Sequence, residues 1–169
     1  MMLRRQFLAG CGSLLALPST ADAERLTYFE GPGSTTVALN RAADDKLYLK
    51  TQVMRRNVLL FIDTGALTIL DIAIARSLNL PLTDLGQSGF GLTGTVGKRL
   101  NGPVDLWLGK IKITGLPVEF LDLSQLKTIN RANGMPEFDG LIGAELLTML
   151  GARIDFERFT LTIKRPGRM

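Results

Sequence analysis

Histidine is missing from this sequence altogether. That absence excludes the Ser-His-Asp triad, the Cys-His pair and the H-E-x-x-H zinc site, each of which needs an imidazole. If the chain is an enzyme, its general acid and base come from Asp, Glu, Lys or Tyr, and carboxylates lead by elimination. Cysteine is almost missing as well. The one residue, Cys11, lies in the opening segment, so the rest of the chain can form no disulfide. A basic strip interleaved with aromatics is also absent. Lys and Arg are scattered and outnumber Asp and Glu by only 20 to 16, which is no nucleic-acid footprint, and none is expected as a partner.

The first 23 residues differ from the rest of the chain. Arg4 and Arg5 make a basic start, Phe7 to Leu17 a short apolar run, and Ala21-Asp22-Ala23 an A-x-A cleavage signal. This is the layout of an export signal over residues 1–23. The arginine pair resembles a twin-arginine signal, with Leu3 where a small polar residue is usual. Leu8-Ala9-Gly10-Cys11 mimics a lipoprotein cleavage box but precedes most of the apolar run. The run falls short of the roughly 20 residues that a helix needs to span a bilayer, so no stable span is expected once the signal is removed. The expected destination is periplasmic or secreted, with an uncleaved anchor as the alternative.

Beyond the signal, residues 24–46 read as an N-terminal segment and 47–169 as one domain. Thr35 to Leu39 is a possible strand, and Asn40 to Asp45 a polar turn. Leu47 to Val53 and Val58 to Ile62 form a hairpin around Arg55-Arg56-Asn57, with the second strand apolar throughout. Asp71 can cap a helix over Ile72 to Leu78, and Asn79 and Pro81 end it. The glycine-rich stretch 86–102 favours a glycine-tipped hairpin over a flexible loop. Val104 to Leu108 and Ile111 to Ile113 flank Gly109-Lys110, and Val118 to Leu121 follows Pro117. Residues 124–137 read as an exposed loop with some helical turn. A helix over Ala144 to Leu150 stops at Gly151, and a closing hairpin turns at Glu157-Arg158. Many short strands with two short helices indicate a small, mainly β single domain.

Asp63 ends the run Val58 to Ile62 and opens Asp63-Thr64-Gly65-Ala66. A carboxylate at the end of a core strand is either a turn residue or chemistry, and residue type alone leaves both open. Its position before a predicted helix puts it on a tight loop, where Gly65 permits the turn and Thr64 can hydrogen-bond locally. Later, Phe138-Asp139-Gly140-Leu141-Ile142-Gly143 places apolar residues between glycines just before a second helix. The pairing of D-T-G-A with F-D-G-L-I-G, around a glycine-rich hairpin, resembles the single-lobe, retropepsin-like aspartic peptidases of bacteria over roughly residues 47–164.

The resemblance implies a small closed β-barrel, one lobe of an acid protease, whose site forms only in a two-fold homodimer. Asp63 of each copy would supply one catalytic carboxylate. Thr64, Gly65 and Ala66 would complete the active loop, and Leu141, Ile142 and Gly143 would support it. Gly89, Gly91, Gly94 and Gly97 would form a flap that closes over a peptide or protein substrate bound in extended form. No metal and no cofactor is expected. The other carboxylates read as structural: Asp139 as a turn residue, Asp155 and Glu157 as solvated, and Asp44, Asp45 and Asp122 without metal-ligand spacing. Trp107 reads as core or interface.

One position departs from the family pattern. Ser or Asp commonly follows D-T-G-A, and here Leu67 does, with Thr68 next. Either Thr68 substitutes, or the subsite is more apolar, or activity is weakened. A peptide-binding module without turnover is therefore the alternative to an endopeptidase, and a small barrel carrying an apolar ligand ranks last.

Overall fold

Strands that alternate apolar and polar residues have one face to bury, and closing the sheet on itself buries it without leaving free edges. The computed structural model describes residues 27–91 and 94–167, with side chains outside that description at 87–99. The expected export signal therefore lies outside the described residues.

The central hairpin pairs β4 (Leu47–Val53) with β5 (Arg56–Ile62), in a register from Tyr48 opposite Phe61 to Val53 opposite Arg56. Its turn is Met54-Arg55, one residue earlier than the sequence suggests, with φ of 48° and 67°. Two positive-φ residues match the twist of the flanking strands, but the conformation is uncommon outside glycine. Met54 is held there by Asp105: its N–H donates to the Asp105 carbonyl at 2.8 Å, and its Sδ accepts from Asp105 N–H at 3.1 Å.

Next come β6 (Ile69–Asp71), helix α1 (Ile72–Ser77), β7 (Thr83–Gly91), β8 (Gly94–Leu108) and β9 (Ile111–Leu121). The short strand β10 (Gly140–Ile142) lies between β5 and β6, parallel to the first and antiparallel to the second. The order β9-β6-β10-β5-β4-β8 closes when β8 pairs again with β9, giving a six-stranded barrel. Leu49, Leu60, Ile62, Leu106, Ile113, Phe120 and Ile142 are among the buried residues that fill it. The molecule is thus mainly β, the closed lobe that the motifs imply.

Segment 24–46 adds to this frame. Strand β1 (Tyr28–Glu30) pairs with β9, and β3 (Asn40–Arg41) pairs with β4 where a turn is expected from the sequence. Strand β2 (Ser34–Ala38) joins β11 (Arg153–Asp155) and β12 (Thr160–Lys164) in a separate three-stranded sheet.

Two helices fall where the sequence places them: α1 and, after β10, α3 (Ala144–Met149). A third, α2 (Ser124–Ala132), extends the helical turn expected within the exposed loop 124–137 into a full helix. None of its residues is fully buried, and Leu126, Ile129 and Ala132 are its only apolar residues, so the stretch carries the helical spacing over too few apolar positions to stand out from a loop. Below it lies a second apolar cluster outside the barrel, built on Tyr48, Leu121, Leu123, Phe138 and Leu141. Strand β5 explains its position. Val58, Leu60 and Ile62 point into the barrel, while Leu59 and Phe61 on the opposite face pack against this cluster, with ring centroids 5.5 Å apart for Tyr48–Phe61 and 6.0 Å for Phe61–Phe138.

Candidate active site

The D-T-G-A loop begins where β5 stops, and β10 sets its height. Asp63 N–H donates to the Ile142 carbonyl at 3.0 Å, which continues the parallel pairing one residue beyond the strand. The Asp63 carboxylate is half-buried, and its Oδ1 accepts from Gly65 N–H at 2.9 Å. A turn closes when Ala66 N–H approaches the Asp63 carbonyl at 3.4 Å. One oxygen of the candidate catalytic group is thereby oriented by its own loop.

Gly65 is not there for its backbone freedom. Its φ lies outside the left-handed region, and an added Cβ would meet only Asp63 Oδ1, at 3.4 Å. The expectation that this glycine permits the turn is corrected. The glycines that the geometry does require belong to the second motif. A Cβ on Gly140 would lie 2.4 Å from the Ile69 carbonyl oxygen, and one on Gly143 would lie 2.3 Å from Leu67 C and 2.4 Å from the Ala66 carbonyl oxygen. Strand β10 is wedged between β5 and β6, so the main chains touch where these side chains would be.

That contact is also hydrogen-bonded. Gly143 N–H donates to Thr68 Oγ1 at 3.0 Å, Ala144 N–H to the Ala66 carbonyl at 2.9 Å, and Thr68 N–H to Glu145 Oε1 at 2.7 Å. Thr68 is only 6% exposed, and its hydroxyl already accepts a bond inside the protein. It therefore does not replace the missing Ser or Asp at the site mouth. Leu67 is 50% exposed. Thr64 is exposed too, and its hydroxyl has no hydrogen bond among the described residues, contrary to the local bond expected from the sequence.

Structure brings together Asp63, Thr64, Gly65 and Ala66 with Leu141, Ile142 and Gly143, as the two motifs suggest. The glycines of the expected flap lie on one hairpin, β7 with β8, in which Gly89 faces Val96 and Gly91 faces Gly94; Gly97 falls between the paired residues Val96 and Lys98.

Asp139 does not belong to the site mouth. Its N–H donates to the Leu59 carbonyl at 2.7 Å and its Oδ2 accepts from Leu59 N–H at 3.0 Å, so it fastens the far end of β10 to β5. Its carbonyl accepts from Asp71 N–H at 2.8 Å. Asp71, 4% exposed, caps α1 by accepting from Ala73 N–H at 3.0 Å. Sequence reading missed the residue that joins these two carboxylates: Lys127 of α2, whose Nζ is 2.6 Å from Asp71 Oδ2 and 3.4 Å from Asp139 Oδ1. Burial pulls the Lys127 pKa down, but the hydrogen bond to Asp71 and the charges of Asp71 and Asp139 outweigh it and hold the ammonium above the usual lysine range. Trp107, half-buried on β8, lies under the Lys112 ammonium at 5.2 Å. Among the described residues no group of acidic, His or Cys side chains is placed to hold a metal, and no helix is long and apolar enough to cross a membrane.

No protein-family model matches the chain, and no curated protein matches it. Solved structures do. A retropepsin-like aspartic protease from Rickettsia conorii is similar over 81% of this chain and 92% of its own, at 21% identity and a TM-score of 0.51. The EIAV protease is similar over 67% and 95%, at 18% identity and a TM-score of 0.49. The retroviral protease-like domain of Ddi1 from Leishmania major is similar over 70% and 87%, at 18% and 0.46. At the first of these scores and identities the likeness is one of fold, and the chain has a retropepsin-like lobe fold.

Proposed function

We propose that this protein is an exported aspartic endopeptidase whose active site forms when two copies bring their Asp63 carboxylates together. The observation that carries the reading is the setting of Asp63. It is a half-buried carboxylate at the end of β5, oriented by Gly65 N–H, and the facing strand β10 can approach only because Gly143 has no side chain. Asp139, the other carboxylate on the β5–β10 pair, is committed to Leu59 at the opposite end. A second catalytic carboxylate would therefore come from a second chain.

Two carboxylates held close cannot both ionise easily, so they share a proton and titrate as a pair. In the reading offered, the ionised member takes a proton from a water whose oxygen attacks the scissile carbonyl carbon. The protonated member gives its proton to the carbonyl oxygen. Collapse of the tetrahedral intermediate breaks the C–N bond, and the leaving nitrogen takes up a proton. The exposed, unbonded Thr64 hydroxyl would fasten one loop to its mate, and the β7–β8 hairpin would close over the peptide and exclude water. The substrate would lie extended, bound largely through its main chain. In this reading the export signal expected at residues 1–23 would direct the chain to the periplasm or out of the cell.

A second reading, a peptide-binding module without turnover, is favoured by Leu67, whose exposed side chain offers a substrate main chain no hydrogen bond, and by Thr68, whose hydroxyl is already engaged. Purified protein lacking residues 1–23, incubated with an unfolded polypeptide from about pH 3 to about pH 7, separates the two. Cleavage by the wild type and none by Asp63→Asn supports the peptidase. Equal inertness of both, with peptide binding unaffected by Asp63→Asn, rejects it in favour of the binding module.

A further inference from the structure

We propose that Lys127 is a positioning residue for the Asp63 loop: from helix α2 its ammonium clamps Asp71 and Asp139, and so fixes the register of β10 against β5. The inference rests on the candidate site described above for its link to catalysis, but not for its structural content.

Strand β10 is only three residues long, and both of its ends are committed. At one end Gly143 and Ile142 hold Thr68 and Asp63 of the active loop. At the other, Asp139 bonds Leu59 through both main chain and side chain and accepts from Asp71 N–H. A strand this short has few ladder bonds of its own to fix its register, and a slip of one residue would exchange the faces of Leu141 and Ile142. Ile142 is fully buried in the barrel and Leu141 in the outer cluster, so such a slip would also detach Asp63 N–H from its acceptor.

Lys127 is the group that ties this far end to a third element. Its partners lie on separate elements, Asp71 at the end of β6 and Asp139 one residue before β10. Asp71 is almost wholly buried, and its two carboxylate oxygens are divided between the α1 cap and the ammonium. Without the cation, two carboxylates would remain near each other with no opposite charge between them, and their repulsion would act across the β6–β10 seam. None of the residues of α2 is fully buried, and its other side-chain bonds to neighbouring segments, Asn130 to the Pro136 carbonyl and Arg131 to Glu137, run to the loop that follows it and not to the seam. Its placement over the seam is thus explained by the charge it delivers as well as by the apolar contact of Leu126.

Amide hydrogen exchange on the full mature chain tests this without relying on activity. Lys127→Met is expected to speed exchange at Asp63 and Gly143 about tenfold relative to amides of the β8–β9 pairing, which lie outside the seam. Lys127→Arg, which keeps the cation, is expected to restore the wild-type pattern. Uniform acceleration across the barrel, or no change at Asp63 and Gly143, would overturn the proposal. If Lys127→Met does not fold, Asp71→Asn, which keeps an acceptor for Ala73 but removes one charge, is read by the same local-versus-uniform criterion. Where the wild type cleaves peptide, Lys127→Met is expected to lower kcat about tenfold with little change in KM, since it misplaces the reacting group without touching substrate. An inert wild type with the local exchange effect intact would reject the peptidase reading and leave the positioning role standing.

Discussion

Gly143 donates its backbone N–H to the hydroxyl of Thr68 across 3.0 Å, and this bond joins the two motifs on which the candidate site depends. Its donor lies at the end of β10 and its acceptor on the active loop. Thr68 is buried, so neither group has water to fall back on.

Replacing Thr68 by Val keeps the shape and removes the acceptor, leaving a buried N–H unsatisfied. We expect a loss of about 1–3 kcal/mol of stability, and a smaller loss for Thr68→Ser, which keeps the hydroxyl. Urea unfolding with an unchanged m-value measures it. Equal stabilities for the Val and Ser variants would show that the bond contributes nothing.

Gly143→Ala tests the other side of the same contact. The added methyl would meet main-chain atoms of Ala66, Leu67 and Thr68 at 2.3 to 2.5 Å, and backbone cannot turn aside as a side chain can. The expected cost is about 1–3 kcal/mol or more, with the loop displaced. Gly65→Ala, by contrast, meets only Asp63 Oδ1 at 3.4 Å and is expected to cost less. If the two variants lose the same stability in thermal unfolding, the close approach of β10 is not what requires Gly143.

These contrasts show how far the sequence could be read. The strand before Asp63, the α1 cap at Asp71 and the wedge of Gly140 to Gly143 were legible because local pattern and tertiary role agree at each: an apolar run, a capping side chain, glycines framing apolar residues. Gly65 was legible as a motif residue but not in its role, since no sequence pattern tells a glycine needed for φ from one whose side chain is merely absent. The Met54-Arg55 turn was misplaced because neither residue favours positive φ, and only a long-range clasp by Asp105 holds it. Lys127 was invisible for the same kind of reason. Its buried partner Asp71 is remote in sequence, and its helix is short, with only Leu126, Ile129 and Ala132 to mark an apolar face.

Leu67 separates stability from function. Its side chain is 50% exposed, so Leu67→Ser is expected to change stability by no more than about 0.5 kcal/mol. A hydroxyl at the site mouth adds a hydrogen-bonding group for a substrate main chain, and one such bond is worth roughly 0.5–1.5 kcal/mol. Under the peptidase reading, KM for an unfolded polypeptide should therefore fall roughly two- to tenfold, with kcat little changed, because the bond forms in ground and transition states alike. A KM that does not move would mean that substrate passes this position without touching it.

Tyr48 is packed between Phe61 and Phe138 with its hydroxyl buried and without a hydrogen-bond partner among the described residues. Burial accordingly pushes its pKa up, with the Asp44 charge acting in the same direction. Removing the hydroxyl removes a desolvated group that bonds nothing, so Tyr48→Phe is expected to raise stability by up to about 1 kcal/mol. Calorimetry on both proteins checks this. A drop in Tm would mean that the hydroxyl has a partner.

The Lys127 clamp makes a prediction at the alkaline end. Burial disfavours the ammonium, but the Asp71 hydrogen bond and the Asp71 and Asp139 charges outweigh it, so the folded pKa stands above the reference value of 10.5. The folded state then holds this proton more tightly than the unfolded chain does. By linkage, the stabilisation is fully present below the unfolded pKa and is lost as pH rises through the folded one. Lys46 and Tyr48 are raised as well and titrate in the same direction, so the informative quantity is the difference between wild type and Lys127→Met. About a fifth of the Lys127 side chain is exposed, and solvent screening reduces the effect without changing its sign. We expect urea midpoints of the two proteins to stay apart up to about pH 10 and to converge as pH rises beyond it toward about pH 12. Curves that run parallel above about pH 10 would show that Lys127 gains no proton affinity on folding, and that the clamp holds α2 by contact and not by charge.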